Sequence, residues 1–323
     1  MNMAFWVEQA GWFTTVQDLG RTGYEHLGLP AGGAMDPFAC KAANRLVGNE
    51  DSAAVLEFSG AGPTLWSDTP ALIALCGGGF TLWVDGMEMP AWTAVRVRAG
   101  QRVECRPHLA GFWGVLAVSG GWDVPEVLGS RSTFLKANLG GYQGRLLQPG
   151  DWLFSLREGW LPEERAGAVL PASRRPVYSP EAVIRVVPGP QCAWFGEEGE
   201  REFLSAIFQV SAQSDRLGYR LTGATVPRRA GELLSEGIPR GAIQVPPDGN
   251  PIVMMADHPT TGGYPKIAGV IRADWGRMAQ LRPGEGKVCF ETVTLEQAHQ
   301  LYRELMANLN AIELENFSFW MRG

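Results

Sequence analysis

From Ala53 to Val118 the chain alternates short apolar runs with breaks that carry glycine or proline. The runs are Val55-Leu-Glu-Phe58, Ala71 to Leu75, Phe80 to Val84, Ala94 to Val97, Arg102 to Cys105 and Gly114 to Val118. Stretches this brief have the length of β-strands and are too short for a helix that buries one face. Asp85-Gly86, between two of them, is a hairpin-turn pair. The same punctuation continues throughout, since 41 Gly and 22 Pro in 323 residues supply turns for many short strands. A mainly β protein with a few helices follows.

Two helices announce themselves. Asp36 is placed as an N-cap with Pro37 at the first helical position, Phe38, Ala42 and Leu46 share a face, Asn44 and Arg45 lie off it, and Gly48 ends the run. Near the other end Thr294 and Gln297 form a capping box, followed by an apolar stripe through Leu295, Ala298, Leu301 or Tyr302, Leu305 and Leu309.

The length suits two domains. Residues 158–180 are rich in Pro, Glu, Arg and Ala, and read as a connection. This divides the chain into residues 1–160, a linker at 161–180, and 181–323. Landmarks of the first half return in order in the second. Asp215-Arg-Leu-Gly-Tyr219 echoes Asp18 to Tyr24, Gly237-Ile-Pro-Arg-Gly-Ala242 echoes Gly28 to Gly33, and Pro283 to Phe290 echoes Ala99 to Arg106. Three echoes in register predict two related β-barrel domains with a pseudo-symmetric arrangement.

Several function classes are excluded. A net charge of -6 leaves no basic stripe for nucleic acid. The longest uncharged run, Thr69 to Val84, is broken by Gly77-Gly-Gly79 and is too short for a membrane span. No secretory leader pattern is visible, and five scattered cysteines without a C-x-x-C read as reduced thiols, so a soluble cytoplasmic protein is expected. Four scattered histidines give no zinc spacing. Neither a phosphate loop nor a G-x-S-x-G is present.

The densest chemistry lies between Met254 and Ile267. An acid (Asp257), an imidazole (His258), two hydroxyls (Thr260, Thr261), a phenol (Tyr264) and an amine (Lys266) fall within a few residues. Gly262 and Gly263 allow positive φ or close backbone approach, and Pro259 and Pro265 stiffen the loop. Lys266 or Tyr264 is suited to stabilise an enolate-like or carbamate intermediate or to donate a proton. The Gly262 and Gly263 amides and the Thr260 and Thr261 hydroxyls are suited to an oxyanion, and Asp257 to orienting one of these groups. Arg21, Arg131, Arg145 and Arg216 are candidate forks for a carboxylate or carboxamide, with an Arg216–Asp215 ion pair as the structural alternative for the last. Gly129-Ser-Arg-Ser-Thr133 is a candidate anion-binding turn.

Thr14 to Arg21, Gly33-Ala-Met-Asp36, Ala43 to Asn49, Gly120 to Pro125, Leu128 to Thr133, Pro188-Gly-Pro190, Ser214 to Leu221, Gln244-Val-Pro246, Ala256-Asp257 and Thr260 to Lys266 together form a recognisable pattern. On these motifs the chain resembles the biotin-dependent carboxyltransferase family. Its members include the C subunit of bacterial 5-oxoprolinase, the KipI antagonist KipA, and part of the carboxyltransferase domain of urea amidolyase. The resemblance implies two cyclophilin-like β-barrel domains and, for a partner, a KipI-like B subunit. With a third, LamB/YcsF-type protein (the A subunit) it implies ATP-dependent opening of 5-oxoproline to glutamate by a chain inactive alone. Alternatives are a KipA-like regulator that captures an inhibitor of a sensor kinase, and a carboxyltransferase component acting on a urea-like substrate. With no Met-Lys-Met motif, biotin is expected on another protein. The implied catalytic set is Lys266, Tyr264, Asp257, Thr260 and Thr261. The implied substrate-binding set is Arg216, Gln244, Gly262, Gly263, Asp18, Arg21, Asp36, Ser130 and Arg145. His258-Pro259 departs from the family's expected Arg or Ala followed by Gln, and Trp122 replaces a smaller aliphatic residue.

Overall fold

The computed structural model describes residues 4–108, 111–157, 159–229, 231 and 233–314. Strand dominates, with four α-helices among the described residues: α1 (Pro37–Leu46), α2 (Gly196–Ser205), α3 (Trp275–Ala279) and α4 (Leu295–Asn308). The chain forms two compact units. Described residues of the first fall within Met1–Gly20, Asp36–Pro176 and Met306–Gly323, and the second takes Arg21–Met35 and Val177–Leu305. The glycine-rich connection after Asp18 therefore belongs with the second half of the chain.

In the first unit a six-stranded sheet runs in the order Trp152–Phe154, Ala4–Gln9, Thr64–Ser67, Arg102–Pro107, Phe80–Val84, Met87–Met89. A five-stranded sheet runs Phe13–Gln17, Val55–Ser59, Trp113–Val118, Ala71–Gly77, Val95–Val97. Phe5, Leu65 and Leu82 of the first sheet share one core with Leu56, Ile73 and Leu116 of the second. Trp113–Val118 is buried along its whole length and Ala71–Gly77 along nearly all of its length, because α1 packs on the same two strands. Trp122 is a core residue, edge-on to Phe5 at 5.4 Å. Asp85 and Gly86 both have positive φ and join an antiparallel hairpin. Asp36 caps α1, accepting from the Ala39 amide at 3.1 Å. Asn44 lies off the Phe38 face yet is buried, donating to the Ala53 carbonyl at 2.8 Å. Within the segment expected as a linker, Ala168, Val169 and Leu170 are buried, and Ala168–Val169 pairs with Glu313–Leu314 inside this unit.

The second unit is a closed seven-stranded barrel. Its order is Glu181–Pro188, Lys266–Val270, Ala242–Gln244, Ile252–Met254, Gly218–Thr222, Phe208–Val210, Lys287–Thr292 and back to the first, the closure being a parallel pair. The barrel expected from the echoes thus appears as a ring here, while the first unit's strands fall into two facing sheets. The echoed aspartates make the same local turn: Asp18 accepts from the Gly20 amide at 2.7 Å and Asp215 from the Leu217 amide at 2.8 Å. The capping box of α4 forms in both directions, and Ala298, Leu301, Tyr302 and Leu305 pack with Ile271 and Ala273. No helix among the described residues is long and apolar enough to cross a membrane.

Candidate functional site

The loop from Met255 to Pro265 joins barrel strands Ile252–Met254 and Lys266–Val270. Met255 through His258 are buried, so the acid and the imidazole lie inside the unit. Asp257 takes a two-pronged hydrogen bond from Arg216, at 2.8 Å from Nε and 3.0 Å from Nη2. Their side chains are 9% and 6% exposed. The same Nη2 donates to the Gly33 carbonyl at 2.7 Å, and Arg240 donates to the carbonyls of Ala34 and Met35 at 3.1 and 2.7 Å. A Cβ built on Gly32 would lie 3.5 Å from Asp257 Oδ1 and 3.7 Å from Arg21 Nη1, so buried Arg21 belongs to this cluster. Arg216, read as a fork for substrate, has its Nε–Nη2 edge committed to Asp257. Asp215 instead serves its own turn. His258 Nδ1 lies 2.8 Å from the Pro259 carbonyl, and burial pushes the imidazole below its ordinary range.

Beyond Pro259 the loop makes a two-residue strand, Thr261–Gly262, antiparallel to Glu236–Gly237, with Glu236 opposite Gly262. Neither Gly262 nor Gly263 has positive φ; both are glycine for lack of room. A Cβ on Gly262 would lie 2.6 Å from Ile238 Cδ1 and 3.2 Å from Gln244 Nε2, and one on Gly263 3.0 Å from the Leu233 carbonyl oxygen. Gln244 is buried and donates to the Tyr264 carbonyl at 3.2 Å. Thr261 is exposed and Thr260 half-buried, and the Tyr264 ring is 44% exposed, so the loop offers hydroxyls and a phenol at its surface.

Lys266 follows. The ladder between Ala242–Gln244 and Lys266–Val270 slips between Ile243 and Gln244, which sets Gln244 against Lys266. Such irregularities re-aim side chains at the ends of strands. The Lys266 side chain is 4% exposed, and its ammonium is ion-paired with Glu236, whose side chain is 40% exposed. Gln191 completes the arrangement. Its Nε2 donates to the same Glu236 oxygen at 2.7 Å, its Oε1 accepts from the Lys266 amide at 3.1 Å, and its own amide donates to the Lys266 carbonyl at 3.3 Å. The Lys266 ammonium holds the Glu236 carboxyl below the usual carboxylate range.

The remaining sequence candidates lie in the first unit. Asp18 accepts from the hydroxyls of Ser130 (2.7 Å) and Ser132 and from the Arg131 amide. Asp36 is the α1 cap. Arg145 makes a two-pronged pair with Asp151 at 2.8 Å for each contact, and Arg131 pairs with Glu126 at 3.0 Å. Each of these groups makes at least one hydrogen bond or ion pair within its own unit.

Residues 27–292 match the family model described as carboxyltransferase domain, subdomain A and B. The chain belongs to this family. Among the relatives of this carboxyltransferase-domain chain, the C subunit of Escherichia coli 5-oxoprolinase is 40% identical, with 90% of this chain and 91% of the relative covered. Its counterpart in Haemophilus influenzae is 38% identical over the same shares. Among solved structures, the urea amidolyase of K. lactis superposes with a TM-score of 0.89 at 32% identity, covering 97% of this chain but 20% of that one. The family recognised from the sequence motifs is thus borne out. Glu236 and Gln191 were not among the sequence candidates. Glu236 lies in a polar stretch with no motif, and only the position of Gln191 next to Pro188-Gly-Pro190 hinted at a role.

Proposed function

We propose that this chain works as the C subunit of an ATP-dependent 5-oxoprolinase. Its partners in that reading are a KipI-like B subunit and a LamB/YcsF-type A subunit, the reaction opens 5-oxoproline to glutamate, and the isolated chain is inactive. The observation that carries the reading is the match to two proteins named as that subunit, at 38–40% identity and over nine tenths of both chains. The site chemistry supports it. Opening a cyclic amide places negative charge on the carbonyl oxygen, and the Lys266 ammonium, the Thr260 and Thr261 hydroxyls and the Gly263 amide are groups that stabilise such charge. Lysine supplies three rotatable donors and can release a proton, which an arginine cannot do. Tyr264, half exposed, is placed to meet substrate from the surface side. ATP enters as a co-substrate of the assembled complex, and no biotin is carried by this chain.

The test is glutamate formation from 5-oxoproline and ATP by the co-purified complex. Activity that vanishes when this chain is omitted, and with Lys266→Ala, supports the reading. Silence from a stable three-protein complex sinks it. A second reading, carboxyl transfer to a urea-like substrate, is favoured by the 0.89 TM-score to urea amidolyase. It predicts that the chain accelerates consumption of a carboxylated biotin carrier when urea is added, which the first reading does not.

A further inference from the structure

The chain holds four lysines, Lys41, Lys136, Lys266 and Lys287, against twenty-four arginines. Of the four, only Lys266 is buried. Lys287 makes a plain surface pair with Glu181, whereas the other ion pairs below the surface use arginine, as in Arg216–Asp257, Arg185–Asp274 and Arg145–Asp151. A buried lysine in such a sequence points to something arginine cannot give: a compact ammonium on a flexible stem that can be aimed and can exchange its proton. A flexible stem also has to be held. Glu236 does this from a different element. Its backbone is fixed opposite Gly262, so the ladder that sets the Thr261–Gly262 strand also sets the carboxylate. Gln191 grips both ends of the pair, the Glu236 carboxylate with its side-chain nitrogen and the Lys266 backbone with its side-chain oxygen.

We propose that Glu236, braced by Gln191, is the positioning residue that aims the Lys266 ammonium at the substrate carbonyl beside the Thr260–Gly263 loop. This rests on the catalytic role given to Lys266 under the proposed function. The carboxylate is the half-exposed member of the pair and the ammonium the buried one, so the direction of the ammonium is set before substrate reaches the loop. Fixing such a group before substrate arrives removes an ordering cost from the reaction, and misplacement by about 1 Å costs on the order of a hundredfold in rate. Around Lys266 the strand Ala242–Gln244 contributes the neutral Gln244, the turn after Pro188 contributes the neutral Gln191, and Glu236 is the charged group that bonds to the ammonium.

The experiment pairs two readouts on Glu236→Gln, which keeps size and removes charge. In the full-length chain alone, limiting acetic anhydride labels lysines, and the four lysine peptides are read by mass spectrometry. Lys266 labelling is expected to rise several-fold while Lys41, Lys136 and Lys287 stay at wild-type rates. In the assembled complex kcat is expected to fall about a hundredfold with KM within a few-fold, and Glu236→Asp to recover part of the loss. Unchanged Lys266 labelling overturns the proposal, and does so even if the wild-type complex proves inactive toward 5-oxoproline, an outcome that counts separately against the functional reading. Wild-type kcat in Glu236→Gln, with an active wild type, also overturns it and leaves the functional reading standing. If Glu236→Gln loosens the fold, so that all four lysines label faster, Gln191→Met tests the same brace. Lys266 labelling alone must then rise, and its failure to rise overturns the proposal.

Discussion

Removing the Asp257 carboxylate tests whether it stabilises the barrel unit or takes part in chemistry. Asp257→Ala removes the carboxylate that accepts two hydrogen bonds from the Arg216 guanidinium, which is 6% exposed. Breaking a buried pair by removing one partner costs about 3–5 kcal/mol. At about 2–4 °C per kcal/mol for a unit of this size, Tm falls by about 6–20 °C. Arg216→Met is expected to cost a similar amount, because it strands the carboxylate. The double variant Arg216→Met/Asp257→Ala is the decisive one, since replacing both charges by apolar groups is often near neutral. Its loss should be well below the sum of the single losses, a coupling measurable in a thermal or urea double-mutant cycle. A refuting result is an Asp257→Ala chain with wild-type Tm and no activity in the complex. The carboxylate would then be a chemical group and the ion pair incidental.

Gly189→Ala should cost about 1–3 kcal/mol, because its Cβ would run into the Lys266 carbonyl oxygen, a backbone atom that cannot step aside. Gly28→Ala, at φ +81 in open space, meets no atom and should cost only about 1–2 kcal/mol from backbone strain; thermal unfolding of both variants ranks them. Asp274 is fully buried, and although burial works to raise its carboxyl, hydrogen bonds from Arg185 and the charge of Arg277 leave it below the usual range. A depressed folded value gives stability that is complete above the unfolded carboxylate range and lost as pH falls through the folded value. Asp274→Asn should therefore lower Tm at neutral pH and flatten its fall on acidification, read from Tm against pH. Asp36→Ala removes the α1 cap and should cost at least about 1 kcal/mol by urea unfolding.

What could be read from the sequence was what is settled locally. Asp36-Pro37, Thr294 with Gln297, and Asp85-Gly86 each act within one turn, and each forms as its residues predict. The density of chemistry from Asp257 to Lys266 was equally plain, because it is contiguous. Long-range pairing was not visible. Glu236 becomes a strand residue only because Thr261–Gly262 lies beside it, and barrel closure depends on Glu181–Pro188 running parallel to Lys287–Thr292, over a hundred residues on. Helix α2 escaped notice because Gly196-Glu-Glu-Gly-Glu-Arg buries little beyond Gly199 and Phe203, leaving no apolar stripe. Arg216 was readable as a fork but not its partner, which stands 41 residues away rather than next door.

The segment Arg21–Met35 has a consequence for synthesis. It belongs to the barrel unit, while the residues flanking it belong to the other. The Gly33 and Ala34 carbonyls leave the ribosome 183 and 206 residues before the arginines that bind them. At about 5–20 residues per second that is a wait of roughly 10–40 s. The segment must pass it unlatched, so a nascent chain stalled before Arg240 displays these glycine-flanked residues to proteases and chaperones, and finished protein does not.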